Sequence, residues 1–155
     1  MGWVTLAARK QSLRLAISNL EMRDLVLSRS LRSMHRSSAY EQSIIKNNKA
    51  FDMRTIKDAY DAVRDARPDD IQSDEYNTWY LEYQAAREDY EAEKLHFSEM
   101  YDDQLAMLEE ECADKEAEIQ QEQATVEAQL EAMNAEFDVV KEQISTEIEQ
   151  STIQL

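Results

Sequence analysis

Apolar residues recur every seven positions at both ends of this chain, and this repeat constrains the possible folds more than any other feature. The repeat comprises Leu6, Leu13, Leu20, Leu27 and Met34 in the first half, and Leu105, Cys112, Ile119, Val126, Met133 and Val140 in the second. Such a repeat is typical of helices that supercoil around one another. The 155 residues include one glycine and one proline, so almost nothing interrupts a helix. The chain is therefore predicted to be all-α.

The single proline divides the chain into two predicted helical arms. Pro68 disfavours helix in the residue before it, and Ser73 followed by two acidic residues is typical of a helix N-terminus. A weaker break signal, formed by paired serines and paired asparagines, makes residues 37–48 a candidate position for a bend or interruption. We therefore expect three segments: a basic N-terminal arm over residues 1–67, a turn over 68–73 and an acidic C-terminal arm over 74–155.

A reversal of the chain within this turn predicts an antiparallel helical hairpin. Facing residues then have positions that sum to about 139, and the two repeats agree with this sum. The predicted pairs are Leu6 with Met133, Leu13 with Val126, Leu20 with Ile119, Leu27 with Cys112, and Met34 with Leu105. The same sum places Tyr90 opposite Lys49, so this aromatic section is expected to need a local bend or a helix from another subunit. One extended rod, or a hairpin swapped between two subunits, satisfies the same repeats.

In this register the second arm extends beyond the start of the first, and its apolar residues continue past about residue 138. Burial of one large apolar side chain stabilises a structure by about 1.5–3 kcal/mol, so an uncovered overhang favours association. Leu155 belongs to this overhang, and Met1, Trp3 and Val4 are expected to lie beside it at the same end of the hairpin. The predicted fold is thus an elongated hairpin or coiled coil with an apolar overhang at its terminal end. The predicted assembly interface comprises Trp3, Val4, Leu6, Phe137, Val140, Ile144, Ile148 and Ile153.

Charge is distributed unevenly along the chain, whose net charge is -16. Residues 1–50 carry nine Lys or Arg against three acids, which is +6, and residues 51–155 carry eight against thirty acids, which is -22. The simplest interpretation is that the basic and acidic arms lie against each other, within one molecule or between neighbours. The alternative is that the basic arm binds nucleic acid or an anionic membrane. The candidate residues for that surface are Arg23, Arg29, Arg32 and Arg36.

Few residues are arranged as catalysis or metal binding requires. Glu93 and His96 form one E-x-x-H fragment, whereas a di-iron helical bundle uses two such fragments with two further glutamates. Cys112 lies in the apolar repeat, among acids that disfavour a reactive thiolate. The sequence contains no glycine-rich phosphate loop. We therefore expect a non-enzymatic protein with no cofactor, no metal and no small-molecule substrate.

The patterns favour a structural subunit that self-assembles through coiled-coil seams, as in a filament, sheath, virion or secretion apparatus. Its expected partner is itself or another helical protein. An adaptor, stalk or chaperone that binds one protein partner is the second hypothesis, and a basic-arm binder of nucleic acid or membrane is the third. No apolar run approaches the roughly 20 residues of a membrane-spanning helix, and the N-terminus lacks the pattern of a signal peptide. We expect synthesis in the cytoplasm and a final location within an assembly, with export through a non-classical route as an alternative.

Overall fold

A computed structural model describes residues 2–154 of the chain, which form two long helices. Helix α1 spans Trp3–Asp65 and helix α2 spans Asp74–Ile153. The two helices pack against each other as an antiparallel pair, and the described part of the chain contains no strand. The prediction of an all-α helical hairpin is therefore confirmed. Met1 and Leu155, which the sequence assigns to the terminal end, lie outside the described residues.

The turn between the helices is held by a serine cap and an aspartate. The Ser73 hydroxyl accepts a hydrogen bond from the backbone N–H of Tyr76 at 3.0 Å and donates one to the Asp70 carbonyl at 2.7 Å. The Asp70 carboxylate accepts a bond from the Gln72 backbone N–H at 3.0 Å. These bonds satisfy one of the free N–H groups at the start of α2 and close the turn. The N-cap predicted at Ser73 is confirmed.

Helix α1 continues without a break through residues 37–48, so an interruption there was a wrong prediction. Serine and asparagine favour turns only when no packing supports the helix. On the inward side of this segment Ile45 is half-buried, and Ile56 further along is buried. Tertiary packing of such an inward face outweighs the weak local preference of the polar residues.

The helix pair divides into two compact units. The terminal unit consists of residues 2–35 and 113–154, and the turn unit consists of residues 36–112. In the terminal unit, Leu6, Leu13 and Val140 form a buried cluster against which Phe137 and Ile144 pack.

The pairing register of the terminal unit differs from the predicted one by about one heptad. Val140 joins Leu6 and Leu13 in one cluster, whereas the predicted partner of Leu6 was Met133. The ion pair between Arg9 and Glu136 joins positions that sum to 145 rather than 139. A seven-residue repeat fixes the face of each helix but repeats itself every two turns, so it does not fix the register. Side chains also lean toward the N-terminus of their own helix, and in an antiparallel pair this lean raises the sum.

The inward residues of the turn unit recur at intervals of both seven and eleven residues. Tyr76, Tyr83, Tyr90 and Phe97 lie seven apart and are all half-buried. Trp79 and Tyr101 are buried, and Tyr90 and Cys112 are half-buried; these four residues lie eleven apart. Ile45 and Ile56 on α1 are also eleven apart. On a straight helix a heptad stripe drifts by about 20° per repeat, and an eleven-residue stripe, at 3.67 residues per turn, drifts by a similar angle in the opposite sense. Both repeats therefore keep residues on the inward face over the length of this unit.

The aromatic residues of the turn unit find their partners within the same chain. The Tyr60 ring stacks on Tyr90 with centroids 4.9 Å apart, and the Tyr60 and Tyr83 hydroxyl oxygens lie 3.1 Å apart. The Trp79 indole N–H donates to the Val63 carbonyl at 2.7 Å. Tyr90 therefore does not face Lys49 as predicted, and the aromatic section is covered without a helix from another subunit.

Candidate assembly surfaces

The predicted assembly interface separates into a buried and an exposed set. Leu6 and Val140 are buried in the core of the terminal unit, and Phe137 and Ile144 pack against them. Their assignment to a free interface was wrong, because the register shift gives these side chains partners within the hairpin. The other four residues remain exposed; they are Trp3, Val4, Ile148 and Ile153.

The exposed set forms an apolar tip at the end of the terminal unit. Trp3 is 52% exposed, Ile148 50% and Ile153 84%. Trp3 and Ile148 come from different helices yet line one shallow recess together with Ser151 and Thr152. The predicted overhang is thus present, but it begins near residue 148 rather than at residue 139. We call Trp3, Val4, Ile148 and Ile153 the apolar tip.

The residues predicted for the coiled-coil seam all lie on inward faces of their helices. Leu13, Leu27 and Val126 are buried, and the remainder are half-buried, namely Leu20, Met34, Leu105, Cys112, Ile119 and Met133. The thiol of Cys112 is free. These positions are used within one hairpin, so they are not available to a second copy unless the hairpin opens.

The predicted anionic-partner surface is only partly assembled. The Arg23 guanidinium donates to the Glu122 carboxylate through two nitrogens, of which Nε lies 2.9 Å from the oxygen. Arg9 pairs in the same way with Glu136, so part of the basic arm is neutralised by the acidic one. Arg29 and Arg32 are exposed and form no ion pair with any described residue. Arg36, also exposed, belongs to the turn unit.

A second apolar stripe on α1 escaped the sequence prediction. Val4, Leu15, Met22 and Val26 are exposed, with Leu15 at 67% and Met22 at 61%. The first three each lie two residues from a seam leucine, which is about 200° around the helix and therefore nearly opposite the seam. We call Leu15, Met22 and Val26 the α1 outward face, and Val4 remains part of the apolar tip. The sequence carried the signal, since the spacings of 11, 7 and 4 residues among all four keep one face, but the stronger leucine repeat obscured it.

The outward side of α2 in the terminal unit is lined by small residues. Ala117, Ala124, Ala128 and Ala135 are exposed, as is Val139. Their spacings of 7, 4, 7 and 4 residues place them on one face, about 200° from the seam residues Ile119, Val126 and Met133. We call these five residues the α2 outward face.

Polar side chains of the turn unit pair between the two helices. Lys49 Nζ lies 3.0 Å from Asp102 Oδ1, and the hydroxyl of buried Tyr101 donates to the Asp52 carboxylate. This hydrogen bond, together with burial and the negative charge of Asp52, raises the pKa of Tyr101 above its usual value. Hydrogen bonding to Tyr83 and burial likewise raise the pKa of Tyr60. Raised tyrosine pKa values disfavour a phenolate nucleophile, so these pairs align the two helices rather than activate a group.

Neither a cluster of metal-ligating side chains nor a membrane-spanning helix is found among residues 2–154. These residues include no group of three or more His, Cys, Asp or Glu side chains placed to hold a metal ion. His96 of the E-x-x-H fragment is exposed, with its ring 5.8 Å from that of Phe97. No helix in residues 2–154 is long and apolar enough to cross a membrane.

The fold and its surfaces define the chain as an antiparallel helical hairpin with a closed seam and exposed apolar side chains. Comparison with protein-family models, curated proteins and solved structures gives no match.

Proposed function

We propose that this chain is a non-enzymatic structural subunit that self-assembles into a larger complex, of the kind found in filaments, sheaths, virions or secretion apparatus. The observation that carries the proposal is the apolar tip, where Trp3 and Ile148 from the two helices meet around one recess and Ile153 is 84% exposed. Large apolar side chains concentrated at one point favour association over exposure to water.

The mechanism differs from one in which the seams themselves join the copies. Leu6, Leu13 and Val140 are occupied within the chain, so assembly uses surfaces that the closed hairpin leaves outside. Apolar contact at the tip supplies affinity, and charged side chains around it select the orientation of neighbours. We place the protein inside such an assembly, with itself or another helical protein as its partner.

The test is substitution of the tip followed by analytical ultracentrifugation over a range of protein concentrations. Ile148→Gln with Ile153→Gln keeps good helix formers at both positions while removing exposed apolar surface. We expect the wild-type chain to form oligomers and the variant to lose those that are joined at the tip, which lowers the average mass at each concentration, with unchanged helicity by circular dichroism. Leu81→Gln with Leu95→Gln is the matched control, because both side chains are more than 60% exposed but lie in the turn unit.

A wild-type chain that stays monomeric at every concentration would contradict the proposal. Oligomers that survive in the tip variant but disappear in the control would place the interface in the turn unit. Deleting residues 140–155 is not a suitable test, since it removes Val140 from the core cluster as well as the tip.

An adaptor or stalk that binds one protein partner is the second candidate, and one observation favours it. In the turn unit Tyr40, Ile44 and Phe51 are exposed, with spacings of 4 and 7 residues that place them on one face of α1. Such a face resembles the anchor pattern of a helix that docks in a groove. A stable monomer that binds a partner through Tyr40 and Phe51 would favour this function over self-assembly.

A further inference from the structure

The α1 outward face carries exposed apolar side chains beside arginines that have no acidic partner among the described residues. Leu15 and Met22 are 67% and 61% exposed. Arg29 lies seven residues after Met22, on the same side of the helix, and Arg14 lies at the edge of the face. Neither Arg14 nor Arg29 forms an ion pair with residues 2–154. The face is thus apolar and positively charged.

The α2 outward face of the terminal unit has the complementary properties. Its exposed alanines leave the helix backbone accessible to a close neighbour, because the separation of packed helices depends on the size of the side chains between them. Glu131 lies seven residues after Ala124, and Glu142 lies seven after Ala135, so both carboxylates are on this side. Neither pairs with a cation among the described residues. This face is shallow and negatively charged.

The two helical segments of the terminal unit carry net charges of opposite sign. Residues 3–35 hold six Lys or Arg against two acids, which is +4, and residues 113–154 hold two Lys against eleven acids, which is -9. Two α1 outward faces brought together would oppose arginines, and two α2 outward faces would oppose glutamates. Only a contact between unlike faces combines apolar burial with opposite charges.

We infer that the α1 outward face of one copy docks on the α2 outward face of a second copy of this chain. The inference rests on the proposed self-assembly and names a lateral contact for it, separate from the apolar tip. Leu15 and Met22 of one copy pack between the alanines of the next, and Arg14 and Arg29 pair with Glu131 and Glu142. Each copy then retains one unused face, the α2 outward face on the first copy and the α1 outward face on the second. A contact of this head-to-tail type propagates into a filament or sheet unless its rotation closes a ring.

Two charge-reversal variants and their mixture test this contact. Arg14→Glu with Arg29→Glu gives copies whose outward faces are both acidic, and Glu131→Lys with Glu142→Lys gives copies whose outward faces are both basic. The reversed side chains are exposed and form no ion pair within the described hairpin, so the fold is expected to survive. Lys46→Glu with Arg54→Glu is the matched control, because it makes the same charge change on α1 within the turn unit.

The readout is the weight-average mass by light scattering as concentration rises, with electron microscopy of the particles. We expect growth for wild type and control, and loss of growth beyond the tip-mediated oligomer for each variant alone. We expect growth to return when the two variants are mixed in equal amounts, because an acidic α1 face then meets a basic α2 face and the reverse. Circular dichroism and urea unfolding check that every variant is folded.

The failures of the two proposals are distinguishable. A wild-type chain that is monomeric throughout overturns the proposed function and this inference together. Wild-type growth that both variants retain overturns the lateral contact alone. Growth lost only in the arginine variant, or variants that fail to assemble when mixed, also overturns it, since both results contradict pairing between unlike faces. A wild-type mass that stops rising at a small oligomer overturns the open lateral contact while leaving self-assembly at the tip.

Discussion

The register of the terminal unit is open to a quantitative test with double-mutant cycles. Leu6 is 6% exposed and Val140 is 5% exposed, and both belong to one cluster. Truncating Leu6 to alanine is expected to cost about 2–5 kcal/mol, and truncating Val140 roughly 1–3 kcal/mol. Because the two side chains share a cluster, the double variant should depart from additivity by about 0.5–3 kcal/mol.

The matched cycle combines Leu6→Ala with Met133→Ala. Met133 lies seven residues from Val140, which is roughly 10 Å along the helix, so its effect should add to that of Leu6 within about 0.3–0.5 kcal/mol. Free energies of unfolding are measured by urea denaturation at a protein concentration where the midpoint no longer depends on concentration. Coupling of Leu6 to Met133 and none to Val140 would refute the register described here and restore the sum of 139.

Three further predictions concern the turn unit and the turn itself. The pKa of Tyr101 is raised above 10.0 by its hydrogen bond to Asp52, by burial and by the carboxylate charge, so its stabilisation is full below about pH 10 and is lost as pH rises through the folded pKa. Tyr101→Phe should therefore destabilise the protein at pH 7 in urea unfolding, and the gap to wild type should shrink in alkali; a gap independent of pH would contradict the linkage. Ser73→Ala should cost about 0.5–2 kcal/mol through loss of the N-cap, and Ser73→Gly only a few tenths; equal costs in urea unfolding would show that the hydroxyl does not cap α2. Trp79→Phe should cost about 1 kcal/mol or more, because it leaves a backbone carbonyl of α1 without its 2.7 Å indole donor; an unchanged thermal midpoint would refute that role.

The assembly-interface prediction shows how one unknown, the pairing register of the two helices, changes the assignment of several residues. The sequence identified Leu6, Phe137, Val140 and Ile144 correctly as apolar positions on one face of each helix, but it assigned them to contacts between copies. Their true partners follow from the register, and a register error of one heptad is enough to convert a core residue into an apparent overhang. Ile148 and Ile153 lie beyond the first residue of α1 in either register, so neither residue faces that helix, and Trp3 at the start of α1 is 52% exposed.

The aromatic residues of the turn unit illustrate a second difference between the sequence prediction and the structure. The aromatic heptad Tyr76, Tyr83, Tyr90 and Phe97 is genuine, and all four residues are half-buried. The same sequence also contains Trp79, Tyr90 and Tyr101 at intervals of eleven, and both repeats are compatible with an inward face. Tertiary packing uses both repeats, because Tyr83 and Tyr90 of the heptad contact Tyr60, and Trp79 of the eleven-residue repeat donates to the Val63 carbonyl.

The sequence by itself determined the all-α fold, the reversal at Pro68, the N-cap at Ser73 and the inward faces of both helices. These properties depend on residues close together in the chain, through proline sterics, capping and apolar periodicity. Only the tertiary structure decided the register, the residues left at the apolar tip and the polar pairing of Asp52 with Tyr101. The physical reason is that a repeating apolar pattern offers nearly equivalent pairings one heptad apart. The choice among them is made by the shape of individual aromatic rings and by polar pairs such as Arg9 with Glu136 and Tyr101 with Asp52, which exist only when the helices are in contact.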